Sequence, residues 1–155
     1  MLVVADTSPL NYLIQVDVIS ILEPLFNRVV IPSSVLAELS DQASPQAVKD
    51  WLTTLPEWVA IQSASPASDA ALHLLGPGEA EAIQLAIELH ADLLLIDERV
   101  GTHEASARGL RTTGTLGVIL RGADRGLLDP KAVLAKLAKT NFRMSRKLRQ
   151  ELLGY

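Results

Sequence analysis

The sequence predicts an α/β domain in three layers, with a central, mainly parallel sheet flanked by helices. Short apolar runs such as Leu2-Val3-Val4-Ala5 and Leu93-Leu94-Leu95-Ile96 alternate with longer stretches of helical periodicity along the whole chain. Strands separated by helices pair in parallel, because a parallel partner needs a crossover that a helix fills. The apolar runs stop abruptly on a polar residue or a proline, as strands buried on both faces do. With 155 residues, 48% apolar and 21% charged, the chain has the size and composition of one globular domain. No repeat, linker or low-complexity tract divides it. Residues 1–155 are expected as a single domain, with roughly 129–155 as a C-terminal helical appendage.

The elements follow in order. Leu2–Ala5 is the first strand, ending at Asp6. Thr7-Ser8-Pro9 opens a helix, with Ser8 placed to cap it and Pro9 suited to its first position. Leu10, Leu13, Ile14, Val18, Ile21, Leu22 and Leu25 then recur at helical spacing over one or two helices. Arg28–Ile31 is a second strand stopped by Pro32, after which Ser33 or Ser34 can cap a short helix. A helix over Ala47–Leu55, a short strand at Trp58–Ile61 and a helix over Ser65–Leu75 precede the break at Gly76-Pro77-Gly78. Glu79–His90 is a helix. Asp92–Ile96 is the strongest strand and stops at Asp97-Glu98. A helix over Thr102–Gly109, a last strand at Leu110–Thr113, and helices opened by Thr115, Asp129-Pro130 and Ser145 complete the chain.

Composition removes several function classes. There is no cysteine, so disulfides, thiolate metal sites and cysteine nucleophiles are excluded. The three histidines, His73, His90 and His103, show no HExxH spacing, which argues against a zinc hydrolase. Aromatics at 4% are too few for an extended base-stacking platform. No apolar run approaches the ~20 residues of a membrane helix, and the N-terminus lacks the basic start of a signal peptide; a cytoplasmic protein is expected. The net charge of -4 conceals a division. Up to Glu98 there are 14 acids and 2 bases; from Arg99 onward there are 4 acids and 12 bases. An acidic centre beside a basic surface suits a cation-using enzyme that acts on a polyanion.

Functional groups in open parallel sheets gather beyond the carboxyl ends of the strands. Asp6 and Asp97 lie there by pattern, with Glu98 beside the second. Singly each acid has an ordinary explanation. Asp6 could cap the first helix. Glu79 and Glu81 lie in a first helical turn that favours acids, whereas Glu38 sits late in its helix, where the macrodipole opposes it. The set points to chemistry: carboxylates converging without Cys or His form an all-oxygen site, which selects hard cations such as Mg²⁺ or Mn²⁺.

The strings VVADTSPL, IPSSVLAEL, GPGEAEAIQLA, LLLIDERVGTHEASARGL and GTLGVIL, in that order and spacing, resemble PIN-domain proteins, most closely an uncharacterised prokaryotic branch related to VapC-type toxin ribonucleases. The resemblance covers about residues 2–150. It implies a PIN-like three-layer fold, three or four acids binding Mg²⁺ or Mn²⁺, and endonucleolytic hydrolysis of single-stranded RNA. It also implies a toxin-antitoxin pairing, with an antitoxin protein as partner, and a homodimer. By position, Asp6, Glu38, Glu79 and Asp97 are the implied catalytic metal ligands. Thr7 or Ser8 helps at the first; the fourth acid matches Asp97 or Glu98, with Asp97 preferred as nearer the strand end and Glu98 kept beside it. VapC-type toxins usually have Asp where Glu79 stands, and Glu81 is the alternative at that position. This departure leaves open a PIN-fold binding or regulatory module without turnover.

For RNA contact the sequence offers Arg99, Arg108 and Arg111 near the expected site, and the basic stretch of Arg143, Arg146 and Lys147 near the C-terminus. A strand ending in Asp also opens the site of haloacid-dehalogenase-like phosphatases, but those carry a second Asp two residues on, where this chain has Ser8.

Overall fold

The structure, a computed structural model, describes residues 1–66 and 69–154. Its strands are β1 (Val3–Ala5), β2 (Val29–Pro32), β3 (Val59–Gln62), β4 (Leu93–Leu95) and β5 (Thr112–Thr113). Its helices are α1 (Thr7–Gln15), α2 (Leu22–Phe26), α3 (Ser33–Leu39), α4 (Gln46–Thr53), α5 (Pro77–Glu88), α6 (Arg99–Ala107), α7 (Thr115–Asp124), α8 (Pro130–Ala138) and α9 (Arg146–Leu153). The strands form one wholly parallel sheet in the order β3-β2-β1-β4-β5. Val4 lies level with Val30 on one side and Leu94 on the other.

Three-residue strands hold their places because both faces are buried. Val3, Ala5, Val29, Ile31, Leu93 and Leu95 point to one face. There they meet α1, α2, α3, α4, α7 and α8 through residues such as Leu13, Phe26, Leu39, Val48, Ile119 and Leu137. Val4, Val30, Leu94 and Ile96 point to the other face, against Ala82, Ile83, Leu85 and Ala86 of α5 and Ala105 of α6. The period of two along each strand thus feeds two cores, giving the three layers. A buried leucine here, such as Leu94 or Leu95, contributes roughly 2–3 kcal/mol through removal from water.

The strand order positions the site. From β1 the chain winds outward through β2 to β3, then returns to the opposite side of β1 as β4. The crevice at the carboxyl ends of β1 and β4 is therefore the point where the winding reverses, the usual place for ligands in open α/β sheets. The Asp6 N–H donates to the Leu95 carbonyl at 2.9 Å, which extends the ladder one residue and pins Asp6 at that crevice. The Ile96 N–H likewise donates to the Thr113 carbonyl at 2.9 Å and fixes the residue before Asp97.

Some helix boundaries differ from the sequence reading. α1 begins at Thr7 with Asp6, not Ser8, at the capping position, and no side chain caps it. α3 has Pro32 at its capping position, so Ser33 and Ser34 lie inside the first turn. α5 begins two residues early, because Pro77 is itself its first residue after Gly76. α6 begins at Arg99, its start hidden by the poor helix former Gly101. The helix expected over Ser65–Leu75 is a 3-10 turn at Ala70–Leu74 with Asp69 capping it; Ala67 and Ser68 lie outside the described residues. Val133, Leu134 and Leu137 of α8 join the first core, while no residue of α9 is fully buried. Among the described residues no helix is long and apolar enough to cross a membrane.

Candidate metal centre

Asp6 stands at the centre of the acidic crevice. It is only 3% exposed and shares the interior with just one other polar side chain among the described residues, Thr115. Burial pushes its carboxyl up to about 7. The Thr7 N–H acts in the opposite direction, and the charges of Glu79, Glu38 and Asp97 add to the rise. Those three charges act on Asp6 because the fold brings α3, α5 and the end of β4 to one place. Glu79 is also raised, by partial burial first and then by Glu98 and Glu38. Glu38, Glu79 and Asp97 thus act on Asp6, and Glu38 and Glu98 act on Glu79.

Each outer acid is held by donors from another element. Glu38, in the last turn of α3, accepts the Thr7 hydroxyl and, at 3.0 Å, the Gly78 N–H. Its unfavourable place in its own helix is explained by the free N–H it caps at the start of α5. Asp97 accepts the Ser8 hydroxyl at 2.8 Å, the Thr115 hydroxyl at 2.7 Å and the Thr115 N–H at 2.7 Å. It thus caps α7 from outside. Glu79 reaches back to the Gly76 N–H at the start of its own helix, half of a capping box. Helices α1, α5, α6 and α7 all begin at this crevice, so their positive ends face the carboxylates.

Three glycines make room for the acids. A Cβ on Gly78 would come within 2.5 Å of a Glu38 oxygen, one on Gly101 within 2.5 Å of a Glu79 oxygen, and one on Gly114 within 2.5 Å of an Asp97 oxygen. The sequence reading missed these positions. The pattern that could have flagged them is a glycine in the opening turns of each of the three helices that follow the crevice.

Among the described residues, Asp6 Oδ1 and Glu79 Oε2 are the buried side-chain atoms without a hydrogen-bond partner. Both belong to acids that interact electrostatically with the neighbouring carboxylates, every side-chain ligand these acids offer is an oxygen, and the Asp6 carboxyl is forced toward neutrality. Those features fit a hard divalent cation. Among the described residues no three acids stand as a ready ligand group. Glu38 and Asp97 are engaged with hydroxyl and amide donors instead.

A sequence profile of the PIN domain matches residues 2–154. The chain belongs to the PIN-domain family. PIN domains are commonly nucleases and typically use divalent metals. Among solved structures, a PilT N-terminus domain protein from the hyperthermophilic archaeon Sulfolobus solfataricus P2 is similar. It has a TM-score of 0.52 and 17% identity over 94% of this chain and 100% of that one, a likeness of fold. No curated protein matches the sequence.

Other residues singled out from the sequence lie elsewhere in this PIN domain. Glu81 points away from the centre and caps α3, accepting the Ser34 N–H at 2.7 Å and the Ser33 hydroxyl at 2.9 Å. Burial raises its carboxyl, but these bonds and one from Ala64 outweigh that and hold it below the usual range. Arg108 is neutralised by Asp69 and by Glu104, the latter at 2.7 Å, and so departs from its expected role as a free phosphate contact. Arg111 stands at the amino end of β5, whereas the acids gather beyond the carboxyl ends. Arg146 and Lys147 are exposed on α9. Arg99 and Arg143 line a cleft of about 690 Å³ with Ser8, Asp97 and Glu98.

Three outcomes are expected from this geometry. Because the Asp6 carboxyl is raised from 3.8 to about 7, the stability of its neutral form is complete below 3.8 and lost as pH rises through 7. Asp6→Asn should therefore leave the metal-free protein near its original melting temperature at pH 4. At pH 8 it should stabilise it by up to about 4 kcal/mol, at 1.36 kcal/mol per unit; equal shifts at both pH values would contradict the strain. Gly101→Ala would normally gain up to about 1 kcal/mol in a helix; here it should weaken Mn²⁺ binding, measured by calorimetry, without that gain. Glu81→Ala should cost about 1 kcal/mol as a lost cap and leave Mn²⁺ affinity unchanged.

Proposed function

We propose that this protein is a Mg²⁺- or Mn²⁺-dependent endoribonuclease acting on single-stranded RNA, with Asp6, Glu38, Glu79 and Asp97 holding the cation and Glu98 beside them. The observation that carries the reading is the buried Asp6, its carboxyl raised to about 7 by burial and by three neighbouring acids, with one oxygen that has no hydrogen-bond partner. A divalent cation supplies Lewis acidity in such a site, polarising the phosphoryl group and acidifying water. The protein's own residues supply the rest. Asp6 and Glu79 present the free oxygens. The Thr7 hydroxyl and Gly78 N–H orient Glu38; the Ser8 and Thr115 hydroxyls orient Asp97. Arg99 and Arg143 offer charge to the phosphates beside the site.

The toxin role of the related VapC-type proteins, an antitoxin partner and a homodimer extend the proposal. The exposed bases of α9, Arg146 and Lys147, with the half-buried Arg149 beside them, suit either an acidic protein partner or further phosphates. A second reading, a PIN module that binds RNA without cutting it, draws on Asp97: both of its oxygens already accept hydrogen bonds.

Purified protein with Mn²⁺ should cleave unstructured RNA. EDTA should abolish cleavage, and Asp6→Asn should lower the rate by at least about a hundredfold, the order expected when a group stabilising the transition state is lost. Binding of RNA and Mn²⁺ without cleavage on varied substrates would favour the non-catalytic module.

A further inference from the structure

Two cavities flank the start of α1, one of about 690 Å³ and one of about 410 Å³. Asn141 lines both, so the segment before α9 bridges the groove directly beside the acids. The two sides differ in charge. Arg99 and Arg143 stand in the wall of the larger cavity, whereas no Lys or Arg among the described residues lines the smaller. Among the described residues neither Arg99 nor Arg143 forms an ion pair; the pairs present belong to Arg108. Both side chains are exposed, on opposite elements of the cleft.

Asn141 is held in one orientation. The Tyr12 hydroxyl donates to Asn141 Oδ1 at 2.7 Å. Tyr12 in turn packs edge-on against Phe142, with ring centroids 5.0 Å apart at 82°. The amide oxygen is therefore occupied, and the two amide N–H donors have no partner among the described residues. Unpaired cations and an oriented donor at the mouth of an acidic site are what a nucleotide needs: cations for its phosphate and a donor for an acceptor on its base.

We propose that the Arg99–Arg143 side of the groove is a phosphate-binding subsite for the nucleotide adjoining the scissile bond, and that Asn141, oriented by Tyr12, reads an acceptor on that nucleotide's base. The proposal rests on the single-stranded RNA reading above and adds a polarity to it. The strand enters the site phosphate-first on the arginine side; the other side offers no cation, only the amides of Asn11 and Gln15 beside the carboxylates of Glu38 and Asp41, and so repels phosphate. Arg99 and Arg143 set affinity and its dependence on salt. Asn141 sets preference among bases and contributes no salt dependence.

The test is fluorescence anisotropy with labelled single-stranded homopolymeric RNAs of the four bases, in EDTA, over a series of KCl concentrations. Arg99→Gln and Arg143→Gln should each reduce the slope of log K against log salt by about 0.7, the value for one phosphate contact on a single strand. Asn141→Ala should leave that slope unchanged and level the affinities of the four homopolymers. Tyr12→Phe should level them partly, because the amide then loses its fixed orientation. Wild-type slopes in both arginine variants, an unchanged ranking of bases in Asn141→Ala, or no binding of any homopolymer at low salt would each overturn the subsite. Binding is read without turnover, so the two readings separate. Protein that binds as described but leaves RNA intact with Mn²⁺ keeps the subsite and loses the nuclease. Protein that cuts RNA while the arginine variants keep the wild-type slope does the reverse.

Discussion

Carboxylates crowded at one crevice must be reconciled with their mutual repulsion, and that requirement organises the whole carboxyl edge of the sheet. Two unit charges about 5 Å apart repel by roughly 3 kcal/mol at an effective dielectric near 20. The fold answers with four helix beginnings and their free N–H groups. Glu38 caps α5, Asp97 caps α7 and Glu79 closes onto the start of its own helix. Among the described residues, Asp6 and Glu79 are each left with a buried oxygen that no donor reaches, and their carboxyls carry the strain as a raised affinity for protons. A cation placed among these acids would take over the role of the proton.

The same bonds hold the helix starts and position the acids. An acid that caps a neighbouring helix is locked in place by that helix, which is the supporting shell a metal ligand needs. Glycines at 78, 101 and 114 let the carboxylates approach the helix starts. The interior gives up some stability at Asp6 in return for a site prepared to accept charge, the familiar exchange between a strained centre and a more relaxed inactive one.

The charge division along the chain also acquires a spatial meaning. The acids come from the first strand, α3, α5 and the end of β4, all before Arg99. The bases that reach the groove come from α6 and from the segment before α9. Not every base does so. Arg108 is spent on Asp69 and Glu104, and Arg111 stands at the wrong end of its strand. Tyr12 and Phe142, edge-on to one another, fix Asn141 and the segment before α9 beside the groove in a chain with few aromatics.

Much of the architecture was readable from residue order alone. Apolar runs of three to five residues ending in polar stops mark strands buried on both faces, and their alternation with helical periods leaves a parallel sheet as the consistent outcome. Asp6 and Asp97 could be placed beyond strand ends for the same local reason. What local pattern could not tell was which acids turn inward. Glu79 and Glu81 lie two residues apart in one helical turn, yet one faces the crevice and the other caps α3. Two residues on a helix of 3.6 per turn stand roughly 200° apart, so the two acids leave α5 in different directions. Asn141 and Arg143, far along the chain from Asp6, reach the groove only through the packing of the C-terminal segment on α1. The sequence by itself determined the order of the strands and of most helices and that acids follow two of the strands, since those follow from periodicity and burial; the 3-10 turn at Ala70–Leu74, where a helix was expected, did not. The tertiary structure alone decided which side chains share a pocket, because that depends on strand order and helix contacts between residues distant in the chain.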